Sequence, residues 1–92
     1  MKGYVYILTN KPRGTLYIGV TSNLDERLAQ HDSTEEKSFT KKYKLKKLVY
    51  FEECNSIKDA IAREKQMKNW HREWKISQIE TINPEWRDLI RS

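Results

Sequence analysis

Residues 3–8, GYVYIL, and residues 16–21, LYIGVT, decide the fold of this chain. Both runs alternate as a β-strand does, and residues 10–14 between them, NKPRG, are of types that bend a chain. Proline presets φ, glycine permits positive φ, and asparagine bonds its own backbone. The pattern therefore predicts a β-hairpin.

The predicted register pairs Thr9 with Gly14 across the hairpin. Tyr6 then faces Tyr17, and one face of the ribbon carries Tyr4, Tyr6, Tyr17 and Gly19. The opposite, apolar face carries Val5, Ile7, Leu16, Ile18 and Val20. Two facing phenols beside a glycine that clears space indicate the floor of a site, provided that the register does not slip by one residue.

The composition is that of a small globular protein. The 92 residues suffice for one core, and we expect residues 1–92 to form a single domain. No apolar run approaches the roughly 20 residues that span a bilayer, and the first residues lack the apolar stretch of a signal peptide, so no membrane partner is expected. Cys54 has no second cysteine to pair with, so a reduced, cytoplasmic setting is expected.

Positive charge is concentrated in one basic segment. The net charge is +5, and the segment contains Lys41, Lys42, Tyr43 and Lys44. Lysines that flank an aromatic residue are typical of proteins that bind the phosphate backbone of nucleic acids. A solvated lysine-rich strand edge, which discourages aggregation of sheets, fits the segment equally well.

Residues 21–31 predict a first helix. Asn23 followed by Glu26 resembles a capping box. Three residues recur on one helical face, namely Leu24, Leu28 and His31. Arg27 lies in the same stripe, where an arginine must either extend to solvent or meet an anion. Because the helix follows the second strand directly, Arg27 can reach back towards the tyrosines.

Glu64 is the most informative residue of the second half. A second helix is predicted to begin at Ser56, with Asp59 completing an S-x-x-D box. Its buried stripe comprises Ile57, Ala60, Ile61, Met67 and Trp70. Glu64 falls within that stripe, and an unpaired buried carboxylate costs several kcal/mol, so a metal or a basic side chain should accompany it. The pattern alone favours the simpler alternative, in which Glu64 leans to the edge and pairs with Lys68 or an exposed arginine.

The remaining elements complete the predicted fold. Residues 45–52 are rich in β-branched and aromatic types and predict a third strand, and residues 70–82 continue helically after a break. The run from Asn83 to Trp86 predicts the start of a short terminal helix. The fold class is mixed α/β (α+β), a three-stranded antiparallel sheet in the order β-β-α-β-α-α, with helices covering its apolar face.

The ordered set of these residues resembles the GIY-YIG nuclease family, in its small single-domain branch. The second signature tripeptide is intact at residues 17–19, and the first is present as YVY at residues 4–6, with Tyr4 in place of the glycine. The resemblance continues at Thr21, Asn23, Leu24, Arg27, Leu28, His31, residues 62–64, Asn83, Pro84 and Trp86. We expect Tyr4 to add bulk beside Gly19 and to narrow the cleft.

The resemblance implies a phosphodiesterase that hydrolyses DNA with one divalent metal, Mg²⁺ or Mn²⁺, held chiefly by Glu64. Arg27 would clamp the charge that develops on phosphorus. Tyr6 or Tyr17 would bind and deprotonate the attacking water, and the sequence does not choose between them. His31 would pass on a proton or orient a phenol. Two residues are carried over as structural neighbours of the site, namely Gly19 and Asn83.

Three functions are therefore weighed. The first is a metal-dependent endonuclease acting on DNA in repair or recombination, with RNA as an alternative substrate. The second is a nucleic-acid-binding module that keeps the fold without cleaving. The third, a protein-interaction domain that exposes its tryptophans, ranks last because it leaves the facing tyrosines and Glu64 without a role. The oligomeric state and any protein partner that supplies targeting stay open.

Overall fold

The computed structural model describes residues 2–31 and 47–90, without the side chains of residues 30 and 31. Its strands are β1 (Gly3–Thr9), β2 (Leu16–Thr21) and β3 (Lys47–Cys54), and its helices are α1 (Leu24–His31), α2 (Ile57–Lys68) and α3 (Arg72–Ile82). The strands form one antiparallel sheet in the order β2-β1-β3. The predicted fold class and element order are confirmed, and β3 ends two residues beyond its predicted end.

The hairpin register is two residues away from the predicted one. Tyr6 pairs with Gly19, and Leu8 pairs with Tyr17. The reason is a longer loop, in which the side-chain oxygen of Asn10 accepts a hydrogen bond of 3.0 Å from the backbone N–H of Thr15. Because side chains alternate with a period of two, an even shift leaves every residue on its predicted face.

The hairpin loop is held in place by helix α3. The left-handed residue in the loop is Arg13, with φ 56°, rather than Gly14. Gly14 is needed for space, since a Cβ there would overlap the side-chain oxygen of Asn10. The Arg72 guanidinium donates hydrogen bonds to the backbone carbonyls of Arg13 and Gly14, and Arg13 pairs with Glu80 at 3.3 Å.

Helices cover both faces of the sheet. The apolar face packs against α2 and α3 in a core that includes Val5, Ile7, Ile18, Ala60, Met67 and Ile79. The tyrosine face packs against α1, in a second cluster made of Tyr6, Leu8 and Leu48 with Tyr17, Leu24, Leu28 and Leu89 around it. The expected covering of the apolar face by helices is confirmed, and α1 covers the tyrosine face in addition. Leu8 and Leu48 make part of the tyrosine face apolar, and α1 covers it.

The predicted helix caps are present. The Asn23 side chain accepts a hydrogen bond of 3.1 Å from the backbone N–H of Glu26, and Ser56 accepts one of 3.2 Å from that of Asp59. The stripe of α2 is narrower than predicted, because Ile61 is 38% exposed. One residue advances an α-helix by about 100°, which turns position 61 away from the face that holds Ala60.

The prediction of a short terminal helix that starts at Asn83 is wrong. Residues 83–90 form turns, and Trp86 has a left-handed backbone with φ 57°. Asn83 ends α3 instead of starting a helix, and its buried side-chain amide donates to the carbonyls of Val49 (3.0 Å) and Arg87 (2.9 Å). None of the helices in the described residues is long and apolar enough to cross a membrane.

Candidate functional site

Tyr6 lies at the centre of the candidate site. It belongs to the central strand β1 and is only 1% exposed. Its ring lies over Gly19 of the neighbouring strand, where an added Cβ would overlap the Tyr6 ring and hydroxyl. Glycine is therefore required at position 19 for space, since its φ is not in the left-handed region.

Tyr17 is the nearest partner of Tyr6. The two ring centroids are 6.3 Å apart, and the rings are inclined at 45°. A hydrogen bond with Tyr17 helps to raise the pKa of Tyr6, as expected where the Tyr6 hydroxyl donates. Tyr17 is partly exposed, so it is the phenol of the pair that solvent can reach.

The pKa of Tyr6 connects four of the five residues to which the family resemblance gives a catalytic role. Burial raises this pKa to about 12, and the neighbouring Tyr17 and the negative charge of Glu64 raise it as well. The positive charge of Arg27 lowers it. Arg27 and Glu64 therefore act on the same phenol from helices α1 and α2, and the fold brings Tyr6, Tyr17, Arg27 and Glu64 into one electrostatic environment.

Arg27 lines a polar cleft at the start of α1. The cleft measures about 210 Å³, and its walls are Thr21, Ser22, Asn23, Glu26 and Arg27. Within residues 2–31 and 47–90, no carboxylate lies within ion-pairing distance of the Arg27 guanidinium. The planar fork of this side chain suits an oxyanion such as phosphate.

Glu64 lies in the buried stripe of α2, between the fully buried Ala60 and Met67. Helix α2 packs on the apolar face of the sheet but contacts β2 as well as β1, and β2 is the edge strand. The Glu64 side chain is 14% exposed, and its Oε2 pairs with Lys68 Nζ at 3.2 Å. The cation that burial demands is thus a lysine in this structure, as the simpler alternative predicted.

Glu64 nevertheless suits a hard divalent cation. The Lys68 side chain is 55% exposed, so its ammonium can return to water when another cation takes its place beside the Glu64 carboxylate. The described residues contain no group of three or more His, Cys, Asp or Glu side chains that could enclose a metal. Mg²⁺ is commonly held by one or two carboxylates, with water and substrate phosphate completing its shell.

The remaining predicted site residues either lie outside the described residues or have a structural role. The side chain of His31 and the basic segment Lys41, Lys42, Tyr43 and Lys44 lie outside the described residues. Asn83 is 4% exposed, and its hydrogen bonds join the backbones of β3 and the C-terminal segment, so it acts there as a structural residue.

Tyr4 does not narrow the space beside Gly19, contrary to expectation. It pairs with Thr21, and its hydroxyl donates a 3.1 Å hydrogen bond to Glu53 Oε1. Because the loop is longer than predicted, Tyr4 lies opposite Thr21, two positions along β2 from its predicted partner Gly19.

Phe51 is an aromatic residue that the sequence analysis did not single out. It pairs with Tyr6 across β1 and β3 and is 42% exposed on the tyrosine face. The alternation of side chains along β3 was the signal in the sequence that could have placed Phe51 on this face.

Comparison with known families identifies the domain. A profile described as the GIY-YIG catalytic domain matches residues 2–77. The chain belongs to the GIY-YIG family. In this GIY-YIG domain the second tripeptide, residues 17–19, supplies the solvent-reachable phenol and the glycine under Tyr6.

Relatives of the GIY-YIG chain span nearly its whole length. A UPF0213 protein of Syntrophus aciditrophicus is 39% identical over 85 residues, covering 91% of this chain and 95% of the relative. One from Staphylococcus haemolyticus is 37% identical over 79 residues, covering 86% and 95% respectively. One from Clostridium perfringens is 37% identical over 76 residues, covering 83% and 81%. No solved structure matches the chain.

Proposed function

We propose that this GIY-YIG protein is a metal-dependent endonuclease that hydrolyses phosphodiester bonds in DNA. Membership of a nuclease family supports the reaction class. The observation that carries the proposal is the Tyr6 phenol, which is 1% exposed over Gly19 with the Tyr17 ring centroid 6.3 Å away, and whose pKa is raised by burial, by Tyr17 and by Glu64 and lowered by Arg27. A nucleophile-binding phenol, a phosphate-binding arginine and a metal-binding carboxylate are the groups that the hydrolysis needs.

Arg27 binds the phosphate in this proposal. Its guanidinium has no ion-pair partner among the described residues and opens on a polar cleft, so a non-bridging phosphate oxygen can take its N–H groups. Glu64 would hold the divalent cation, Mg²⁺ or Mn²⁺, in place of the Lys68 ammonium. A bound cation of this kind neutralises charge on the phosphate and stabilises the leaving oxygen.

The two phenols have different tasks. Tyr6 is 1% exposed and has its pKa raised to about 12, so it stays protonated at neutral pH and serves as a hydrogen-bond donor. Tyr17 is partly exposed, and we assign it to bind the attacking water and to accept its proton while its own phenol proton passes to His31. Tyr6 orients the Tyr17 oxygen, and Arg27 stabilises the charge that builds on phosphorus. His31 is proposed to relay the proton onward.

Contacts beyond the cleaved bond complete the proposal. The basic segment Lys41, Lys42, Tyr43 and Lys44 would bind the sugar-phosphate backbone, an interaction independent of base sequence and sensitive to salt. RNA is the alternative substrate. A role in repair or recombination within a reduced cytoplasm belongs to the same proposal, as does a single domain over residues 1–92.

Substitution of Glu64 tests the proposal. Cleavage of single-stranded, duplex and branched DNA, and of RNA, is measured with Mg²⁺, Mn²⁺ or EDTA. Glu64→Ala should lower the rate by at least about 100-fold and leave nucleic-acid binding intact, because the carboxylate acts on the reacting phosphate through the metal. Glu85→Ala is the matched control, since that carboxylate is 67% exposed and pairs only with nearby Arg87 among the described residues.

A purified Glu64→Ala protein that cleaves as fast as the wild type would refute the assignment, because the cleavage would then come from other groups or from a contaminating nuclease. The Glu64–Lys68 ion pair favours a second candidate, a module that binds nucleic acid without cleaving it. That candidate requires the wild type to bind DNA and to show no metal-dependent cleavage of any of these substrates.

A further inference from the structure

A second cleft adjoins the one that contains Arg27. It measures about 350 Å³ and is lined by Tyr4, Ser22, Asn23, Leu24, Asp25 and Phe51. The two clefts share Ser22 and Asn23, so a ligand in one is directly beside a ligand in the other. Successive parts of one nucleotide, its phosphate and its base, can therefore occupy both.

Phe51 gives the second cleft an open aromatic surface. Its ring is 42% exposed, whereas Tyr6, its partner across the β1–β3 ladder, is 1% exposed. Both side chains stand on the same face of the sheet. An exposed aromatic ring next to a phosphate-binding arginine is the arrangement that holds single-stranded nucleic acid by base stacking.

The two clefts differ in net charge. The first contains one cation, Arg27, and one carboxylate, Glu26, whereas the second contains Asp25 and no cation, and Glu53 lies beside it, bound to the Tyr4 hydroxyl at 3.1 Å. Lys2 partly offsets Glu53 through a 3.2 Å ion pair. Carboxylates repel phosphate but accept hydrogen bonds from the amino groups of bases. This asymmetry directs the phosphate to Arg27 and the base to Phe51.

We propose that the cleft formed by Tyr4, Asp25 and Phe51 binds one unpaired nucleobase, stacked on Phe51, of the nucleotide whose phosphate contacts Arg27. The inference rests on the proposed function and adds to it a substrate class. A base within a duplex cannot enter the cleft without leaving its stack, so the substrate carries an unpaired nucleotide at the cleaved bond.

A purely structural role explains the presence of Asp25 in the cleft. An acid in the first turn of α1 stabilises that helix through its dipole. It does not account for the exposure of Phe51. The competing platform is Trp74, which is 60% exposed on α3 and packs edge-on against Trp70 at 6.4 Å. Trp70 belongs to the core on the opposite face of the sheet, so Trp74 is not adjacent to the Arg27 cleft.

Binding of a short single-stranded oligothymidine that carries one central 2-aminopurine tests the proposal. EDTA prevents cleavage, so the assay does not depend on activity. Fluorescence of the 2-aminopurine should fall when the wild type binds, and Phe51→Ala should abolish the fall and raise Kd by about 5- to 150-fold. Trp74→Ala and Ile61→Ala should bind as the wild type does, and Ile61 matches Phe51 in exposure at 38%.

The outcomes separate the two proposals. An oligonucleotide of the same length in which every nucleotide is abasic should bind wild type and Phe51→Ala equally, because only the backbone contacts remain. If Phe51→Ala binds the 2-aminopurine strand as the wild type does, or if Trp74→Ala weakens binding instead, the base site is refuted while DNA binding stands. If the wild type binds none of these oligonucleotides, the base site and the proposed function fail together.

Discussion

Substitution of Gly19 by alanine tests the packing at the centre of the site. The backbone at position 19 is outside the left-handed region, so alanine meets no conformational obstacle there. The added methyl group would overlap the ring and hydroxyl of Tyr6, which is 1% exposed and enclosed. Space alone therefore opposes the change.

The expected cost follows from two opposing effects. Overpacking a well-filled core costs about 1–3 kcal/mol. Replacing glycine with alanine also lowers the entropy of the unfolded chain, which returns about 0.4–1 kcal/mol. We therefore expect Gly19→Ala to lower the free energy of unfolding by roughly 1–2 kcal/mol, equivalent to about 4–16 °C in Tm for a chain of this size.

Urea unfolding and thermal scans measure the change, and Tyr6→Phe provides the second arm of a double-mutant cycle. Removing the hydroxyl relieves part of the overlap, so Gly19→Ala should cost less in the Tyr6→Phe background than in the wild type. An unchanged or raised stability of Gly19→Ala would refute the close approach of Tyr6 to β2. Equal costs in both backgrounds would show that the Tyr6 hydroxyl is not the group displaced.

Two further predictions concern stability. Burial raises the pKa of Tyr6 to about 12 from the ordinary 10.0, so the unfolded chain releases this proton first. The contribution of the Tyr6 proton to the free energy of unfolding is complete below pH 10, and roughly 3 kcal/mol of it is lost as the pH rises towards 12. Urea titrations at several pH values should show a smaller alkaline loss of stability in Tyr6→Phe than in the wild type. Identical alkaline profiles of the two proteins would contradict the prediction. The pKa values of Tyr4 and Tyr50 are also raised, so the comparison with Tyr6→Phe isolates the one residue. Asn83→Ala removes three hydrogen bonds to the backbones of Val49 and Arg87 and should cost roughly 3 kcal/mol in urea unfolding, whereas a cost below about 1 kcal/mol would show that the buried amide does not hold the segment.

Local chemistry explains why much of the fold was predictable. Alternation placed the tyrosines on one face and the aliphatic residues on the other, and that assignment survived a register error because the error was even. The caps at Asn23 and Ser56 depend on residues only three positions apart, so short-range spacing suffices to locate them. Glu64 could be singled out because helical periodicity put a carboxylate between apolar neighbours.

Two specific contacts, one within the hairpin loop and one between distant segments, decided what the sequence left open. Loop length set the hairpin register, because the Asn10 side chain closes a longer turn than the pattern of Pro and Gly suggested. The terminal segment has good helix-start residues, but the Asn83 side chain instead donates a hydrogen bond to the carbonyl of Val49 on a distant strand.

The difference between the two tyrosines is likewise a tertiary effect. Sequence could not choose between Tyr6 and Tyr17, since both occupy the same kind of position in a strand. Only the assembled sheet buries Tyr6 over Gly19 and leaves Tyr17 at the edge within reach of solvent. Periodicity thus determined which side chains share a face, whereas the burial of Tyr6, and with it the raised pKa of its phenol, depended on neighbours that are remote in the chain.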